Sequence, residues 1–282
     1  MDFAQYLPVV YGIGIPFLGT VLGAACVFFV KGSLPPKVQR GMMAFAAGVM
    51  VAASVWSLLL PSIESSENYG KLAFIPPVAG FWVGILLLFL IDKITPHLHL
   101  GRDEPEGPKV KMKRTTMLAL AVTIHNIPEG MAIGVVFAGW LAGADALVDG
   151  AAGAAAGAVE NAAGIVSLAS AVAVSIGMAL QNFPEGAIIS LPLRAEGETR
   201  LKSFWLGVVS AIAEAGAAII TIFLASALLP VMPYLLSIAA GAMIYVVVEE
   251  LLPEASEGIH FDGVTLLFAL GFSLMMVLDT AL

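Results

Sequence analysis

Two six-residue strings carry the chemistry of this chain: His125-Asn126-Ile127-Pro128-Glu129-Gly130 and, 56 residues later, Gln181-Asn182-Phe183-Pro184-Glu185-Gly186, identical at four of six positions. His125 with Glu129, and Gln181 with Glu185, stand at i, i+4 spacing, so on a helix each pair projects from one face. Asn126 and Asn182 follow one residue on, about 100° round the helix, and can serve an adjacent position. Glu214 is the sole charge in the middle of a later apolar run. A carboxylate at the centre of a bilayer helix costs about 2.5–3.5 kcal/mol, so Glu129, Glu185 and Glu214 bare would cost roughly 8–10 kcal/mol. A divalent cation shared among them offsets that cost. Nitrogen and oxygen donors without a thiolate suit zinc, cadmium, iron(II) or manganese. Hydrogen-bonded helix glue is the alternative, but glue has no need of a second copy of the motif. Pro128 and Pro184 remove amide donors and crowd the carbonyls of Ile124 and Leu180, which predicts a kink beside each glutamate. Carbonyls freed at membrane depth are tolerated where they line a cavity.

The elements that must position these groups follow from composition. Of 282 residues, 59% are hydrophobic and 12% charged, against about 45–50% and 25% in soluble domains, and the mean hydropathy is +0.95. An ordinary soluble globule is excluded. With a net charge of −8 and no basic cluster of the kind that neutralises phosphates, nucleic acid is excluded as a partner. The lone Cys26 cannot form an intramolecular disulfide. Eight runs reach the ~20 apolar residues that a spanning helix requires: 9–30, 41–60, 72–91, 115–140, 165–191, 204–229, 234–252 and 264–282. The expectation is an all-α, polytopic membrane protein forming one transmembrane domain over 1–282. The glycine- and alanine-rich stretch 143–164, with Asp145, Asp149 and Glu160, is expected to be a low-complexity external loop.

Basic residues set the orientation. Lys31, Lys37 and Arg40 lie between spans one and two; Lys93, Arg102, Lys109, Lys111, Lys113 and Arg114 between three and four; Arg194, Arg200 and Lys202 between five and six. That leaves only Lys71 opposite, so both termini are expected on the outer side. The first residues lack the basic region of a cleavable signal, so the first span is expected to be retained. Short loops favour a bacterial inner membrane. Spans four and five then run in opposite directions, giving the repeated motif the inverted sense found in secondary transporters. A fainter antiparallel echo pairs Ala46-Ala47-Gly48-Val49-Met50 in the second span with Ala239-Ala240-Gly241-Ala242-Met243 in the seventh.

On the cytoplasmic side, Asp92, His97 and His99 follow the third span, and Glu249 and Glu250 end the seventh; together they form a candidate exit relay for metal. No His-Glu-x-x-His string occurs, which argues against an intramembrane zinc protease. A non-enzymatic role is therefore expected.

The paired motifs, on the fourth and fifth of eight spans, resemble those of the ZIP (Zrt-/Irt-like) metal transporters, nearest their prokaryotic GufA-like branch. The resemblance covers the whole chain and implies a 3+2+3 inverted-repeat arrangement. It implies a two-metal site in which His125, Glu129, Gln181 and Glu185 hold the transported ion, joined by Met50 from the second span. A neighbouring position would use Asn126, Asn182 and Glu214, with Glu129 and Glu185 bridging. Relatives often carry aspartate where this chain has Asn182, so the second position is one negative charge short. Met243 is expected to line a hydrophobic constriction. The implied function is transport of divalent transition metal, zinc first and also cadmium, iron or manganese, toward the cytoplasm by alternating access. A metal-gated channel and a non-transporting metal sensor share the same site. No cofactor is expected, since the metal is the cargo; the expected partners are metal ions, lipid and a second copy of the chain in a homodimer.

Overall fold

The computed structural model describes residues 6–30, 32, 34–96, 107–108, 114–148, 166–227, 229–256 and 263–282. Among these, eight long helices form the framework: α1 (Leu7–Ala25), α2 (Pro36–Ala53), α3 (Ile75–Ile94), α4 (Arg114–Val148), α5 (Leu168–Ala195), α6 (Arg200–Ala227), α7 (Met232–Val246) and α8 (Gly263–Ala281). Several starts are written in proline, whose fixed φ and missing donor suit the first helical turn. Pro8, Pro36, Pro76 and Pro233 each sit there, and Pro76 with Pro77 sets the start of α3 three residues later than hydropathy places its span. The Ser167 side chain caps α5 by accepting from the Ser170 amide at 2.9 Å. Gly197, at φ +100°, turns the chain out of it. Helix α4 continues through Ala142, Ala144 and Ala146 to Val148, because alanine is the strongest helix former; the predicted external loop therefore begins later than residue 143. Residues 149–164 of that stretch lie outside the described residues.

Among the described residues, seven helical stretches are long and apolar enough to cross a membrane, including Pro36–Glu64 and Met232–Ser256. These two exceed their predicted spans because α2 and α7 do not stop at Ala53 and Val246. Each widens into a π-helical turn, Ser54–Leu59 and Val247–Leu251, and resumes as Leu60–Glu64 and Leu252–Ser256. Both turns begin four residues after the methionine of the Ala-Ala-Gly-x-Met echo, and both are followed by a proline, Pro61 or Pro253. A widened turn accommodates the missing amide and the ring crowding that proline imposes. The eighth long helix, α4, carries His125, Asn126, Pro128 and Glu129 and packs against α6.

Four helix pairs make the closest contacts: α1 with α5, α4 with α6, α3 with α7 and α2 with α8. Glycine permits each. A Cβ on Gly186 of α5 would lie 2.2 Å from the Thr20 carbonyl of α1, one on Gly130 of α4 2.2 Å from the Glu214 carbonyl of α6, one on Gly84 of α3 2.0 Å from the Ile238 carbonyl, and one on Gly48 of α2 2.1 Å from the Phe268 carbonyl. Small residues at such crossings replace the hydrophobic drive that lipid removes. The apolar core collects Met50, Ile133, Phe137, Met178, Leu236 and Met243, all buried. Outward faces carry exposed apolar side chains such as Trp82, Leu86, Ile220, Phe223 and Leu266.

Candidate metal site

The two glycines that close the repeated motifs each seat their helix directly on a neighbour's backbone. With no side chain at Gly130, the backbone of α4 lies directly on the Glu214 carbonyl of α6, and the preceding residue, Glu129, comes within electrostatic reach of Glu214 and Glu185 and beside Gln181. Gly186 lets the backbone of α5 lie equally close to the Thr20 carbonyl of α1. Pro128 and Pro184 lie inside helices that continue past them.

Asn126, Glu129, Gln181 and Asn182 are fully buried, and Glu214 is nearly so. Asn182 Nδ2 donates to Glu214 Oε2 at 2.7 Å and to the Pro16 carbonyl at 3.3 Å, tying α5 to α6 and α1. Nine side-chain atoms of this cluster are buried without a hydrogen-bond partner: both polar atoms of Asn126, both Glu129 oxygens, both polar atoms of Gln181, Asn182 Oδ1, Glu185 Oε2 and Glu214 Oε1. Seven of the nine are oxygens. An unsatisfied buried polar group costs about 1–3 kcal/mol and more when charged, and a concentration of acceptors on three adjacent helices has the chemistry to take up a cation. Among the described residues no three His, Cys, Asp or Glu side chains close to metal-ligating distances. The donor set is instead a mixed one, in which the carboxylates of Glu129, Glu185 and Glu214 have the amides of Gln181 and Asn182 beside them.

His125 takes a different partner from its motif mates. Its Nε2 contacts Glu250 Oε1, and Glu250 sits in the π-helical turn of α7. The residue predicted to hold metal and a residue predicted to release it are thus one pair. Asp92, at the end of α3, accepts from the Tyr245 hydroxyl at 3.3 Å, while Glu249 is exposed. His97 and His99 lie outside the described residues. Met50 is fully buried in the apolar core with Met243, Ile133 and Met178, and its carbonyl accepts from Ser54 Oγ at 2.8 Å.

The sequence reading missed Asp279. Its Oδ1 accepts from Ser57 Oγ at 2.6 Å, linking α8 to the π-helical turn that follows α2. The signal was the same one that singled out Glu214: a lone acid in an apolar run. Tyr245, the partner of Asp92, was also overlooked, because a tyrosine in an apolar helix carries no spacing that marks it.

No family model matches the chain. Similarity to individual proteins is extensive. The chain is 32% identical to zinc transporter ZIP11 of Homo sapiens, over 93% of this chain and 94% of that protein. It is 32% identical to zinc transporter ZIPB of Bordetella bronchiseptica, over 97% and 81%, and 29% identical to zinc transporter GufA of Myxococcus xanthus, over 93% and 94%.

Proposed function

The chain belongs to the ZIP family of metal transporters, and from that premise we propose that it carries zinc toward the cytoplasm by alternating access, with cadmium, iron(II) and manganese as further cargo of the same site. The observation that carries this reading is the cluster of seven unpartnered buried oxygens on α4, α5 and α6. Glu129, Glu185 and Gln181 are the proposed first ligands, with His125 and Met50 approaching from the two ends of the pocket. Asn126, Asn182 and Glu214 form the adjacent position.

The proposed direction follows from chain order. With both termini outward, α4 runs outward and α5 inward. Ile133 and Phe137 then lie outward of Glu129, and Met178 lies outward of Gln181. Their buried packing with Met50 and Met243 supports a closed outer gate made of apolar side chains, which blocks ions by excluding water. His125 lies on the cytoplasmic side of Glu129, and its contact with Glu250 supports an exit that passes metal from His125 to Glu250 and on to Asp92, His97 and His99. A mixed site of carboxylate, imidazole and amide selects a divalent ion yet releases it, as a thiolate cage does not.

The wider assignments belong to the same proposal. Eight spans form a single transmembrane domain in a 3+2+3 inverted repeat, with the glycine- and alanine-rich segment outside the membrane. Helix pairing supports it: exchanging one with six, two with seven, three with eight and four with five turns the α1–α5 pair into α6–α4, and α2–α8 into α7–α3. The proposed setting is a bacterial inner membrane, and the proposed assembly is a homodimer.

The test is zinc and cadmium uptake into proteoliposomes, comparing the unaltered protein with Glu185→Ala and His125→Ala at equal incorporation. Saturable uptake lost in both variants supports the reading. Unchanged uptake in both places the pathway elsewhere. Ohmic current in place of saturable flux indicates a channel, and stoichiometric binding without uptake indicates a sensor.

A further inference from the structure

We infer that the pocket of this chain holds one divalent cation at a time, because Asn182 fills the adjacent position with amide hydrogens. The inference rests on the metal-site reading above and fixes its stoichiometry. Asn182 is fully buried, and its Nδ2 donates both to Glu214 Oε2 at 2.7 Å and to the Pro16 carbonyl at 3.3 Å. An amide can be placed either way round, and its neighbours decide which. A backbone carbonyl only accepts, and so does a carboxylate. Turning the side chain over would set Oδ1 against both oxygens, so the NH2 group must face them. Two N–H bonds therefore point at the oxygens that a cation at the junction of α1, α5 and α6 would have to use.

Charge counting gives the same answer. Glu129, Glu185 and Glu214 are the carboxylates that face one another. One divalent ion offsets two of them, and the third is held by the charge-assisted hydrogen bond from Asn182. A second divalent ion would give these three carboxylates and their cations a net positive charge, a state that low-dielectric surroundings penalise. An aspartate at 182 would remove both N–H donors and supply a fourth carboxylate. Charge and lone pairs would then suit two ions. Asn126 cannot take over this role, since its Oδ1 and Nδ2 are both buried without partners and do not restrain Glu214.

The experiment saturates the purified full-length protein with cadmium in detergent and counts bound metal after equilibrium dialysis, for the unaltered chain and for Asn182→Asp. The expected result is one cadmium per unaltered chain and two per Asn182→Asp chain. Two ions in the unaltered chain overturn the inference, as does a single ion in a monodisperse Asn182→Asp protein. Should the variant fail to fold, the cadmium-113 spectrum of the unaltered chain decides: one resonance at saturation is expected, and two refute it. No bound cadmium in the unaltered chain is a separate result that removes the metal site itself.

Discussion

Replacing Gly130 by alanine is the sharpest probe of how the helix crossing builds the pocket. The new Cβ would lie 2.2 Å from the Glu214 carbonyl oxygen, 2.8 Å from Ala217 Cβ and 3.0 Å from the Ala218 amide nitrogen, where ordinary contact begins at 3.4 Å. The closest obstacle is backbone and cannot rotate away, so α4 and α6 must part by about 1.2 Å to clear it. Overpacking of this kind costs about 1–3 kcal/mol, which a membrane helix bundle can survive. The pocket is less tolerant, since sites need their groups within about 0.5 Å of the working geometry. Glu129 and Glu214 flank the crossing and separate with it. A misplacement near 1 Å costs on the order of 10²-fold in processes that depend on aligned groups, so zinc uptake by Gly130→Ala is expected to fall by ~10- to 100-fold at equal incorporation. Gly216→Ala is the matched control: it lies on α6, two residues from Glu214, and its Cβ would meet nothing within 4 Å. Its uptake is expected to stay within about 2-fold, because alanine only improves helix propensity there. Wild-type uptake by Gly130→Ala, or an equal loss in Gly216→Ala, would refute the reasoning.

Glu250→Gln removes the anionic partner of His125 while keeping its size. The maximal uptake rate should drop several-fold with cadmium stoichiometry unchanged, and loss of binding instead would move Glu250 into the primary site. Ser57→Ala breaks the 2.6 Å bond to Asp279 and should lower stability by about 0.5–1.5 kcal/mol, read as a reduced melting temperature in detergent; an unchanged melt counts against a structural tie between the turn after α2 and α8. For orientation, Leu282→Cys in a Cys26→Ser background should react with a membrane-impermeant maleimide added outside intact cells. Reaction only after permeabilisation would invert the topology and, with it, the proposed order of gates.

The positions of the helices were legible because hydrophobic runs and proline-marked starts are local signals. That the two motifs would meet was legible too, since Glu129 does come beside Gln181, Glu185 and Glu214, but i, i+4 spacing gave no sign that His125 would take Glu250 as its partner. What no local pattern disclosed was which other residues meet across helices. Glu250 stood in the sequence as a membrane-end acid, 125 residues from His125, yet the widened turn of α7 aims it at the imidazole. Asp279 and Ser57 are joined over a separation of 222 residues. The π-helical turns had a sequence mark that is plain in retrospect: Met50 and Met243 are followed at nearly equal distance by Leu60-Pro61 and Leu252-Pro253. Hydropathy averages over such strings and cannot register one extra residue in a turn.

The glycine of each Pro-Glu-Gly string also shows why the motif is a unit rather than a glutamate with neighbours. Gly130 seats α4 on α6, and Gly186 seats α5 on α1, so each motif fixes a crossing one residue after the carboxylate it presents. Under the proposed exchange of halves these are the same contact made twice. The remaining pairs behave alike: Gly84 and Gly241 join α3 to α7, and Gly48 and Gly271 join α2 to α8. The close contacts of helix glycines with a neighbouring helix's backbone lie within the pairs α1–α5, α4–α6, α3–α7 and α2–α8, while at Gly12, Gly177 and Gly207 the nearest atoms are side chains from outside their pair, those of Phe137, Met275 and Ala24; the proposed pathway runs between the pairs. At its proposed outer end Met178, Ile133, Met50 and Met243 belong to one buried apolar cluster, and at its proposed inner end His125 meets Glu250. Backbone crossings locked by glycine resist change, because any separation exposes carbonyls that packing had covered. Side-chain contacts of methionine break and re-form at small cost. Rigid pairs sliding along adaptable seams are what a site needs if it is to meet each side of the membrane in turn without dissolving its own ligand set.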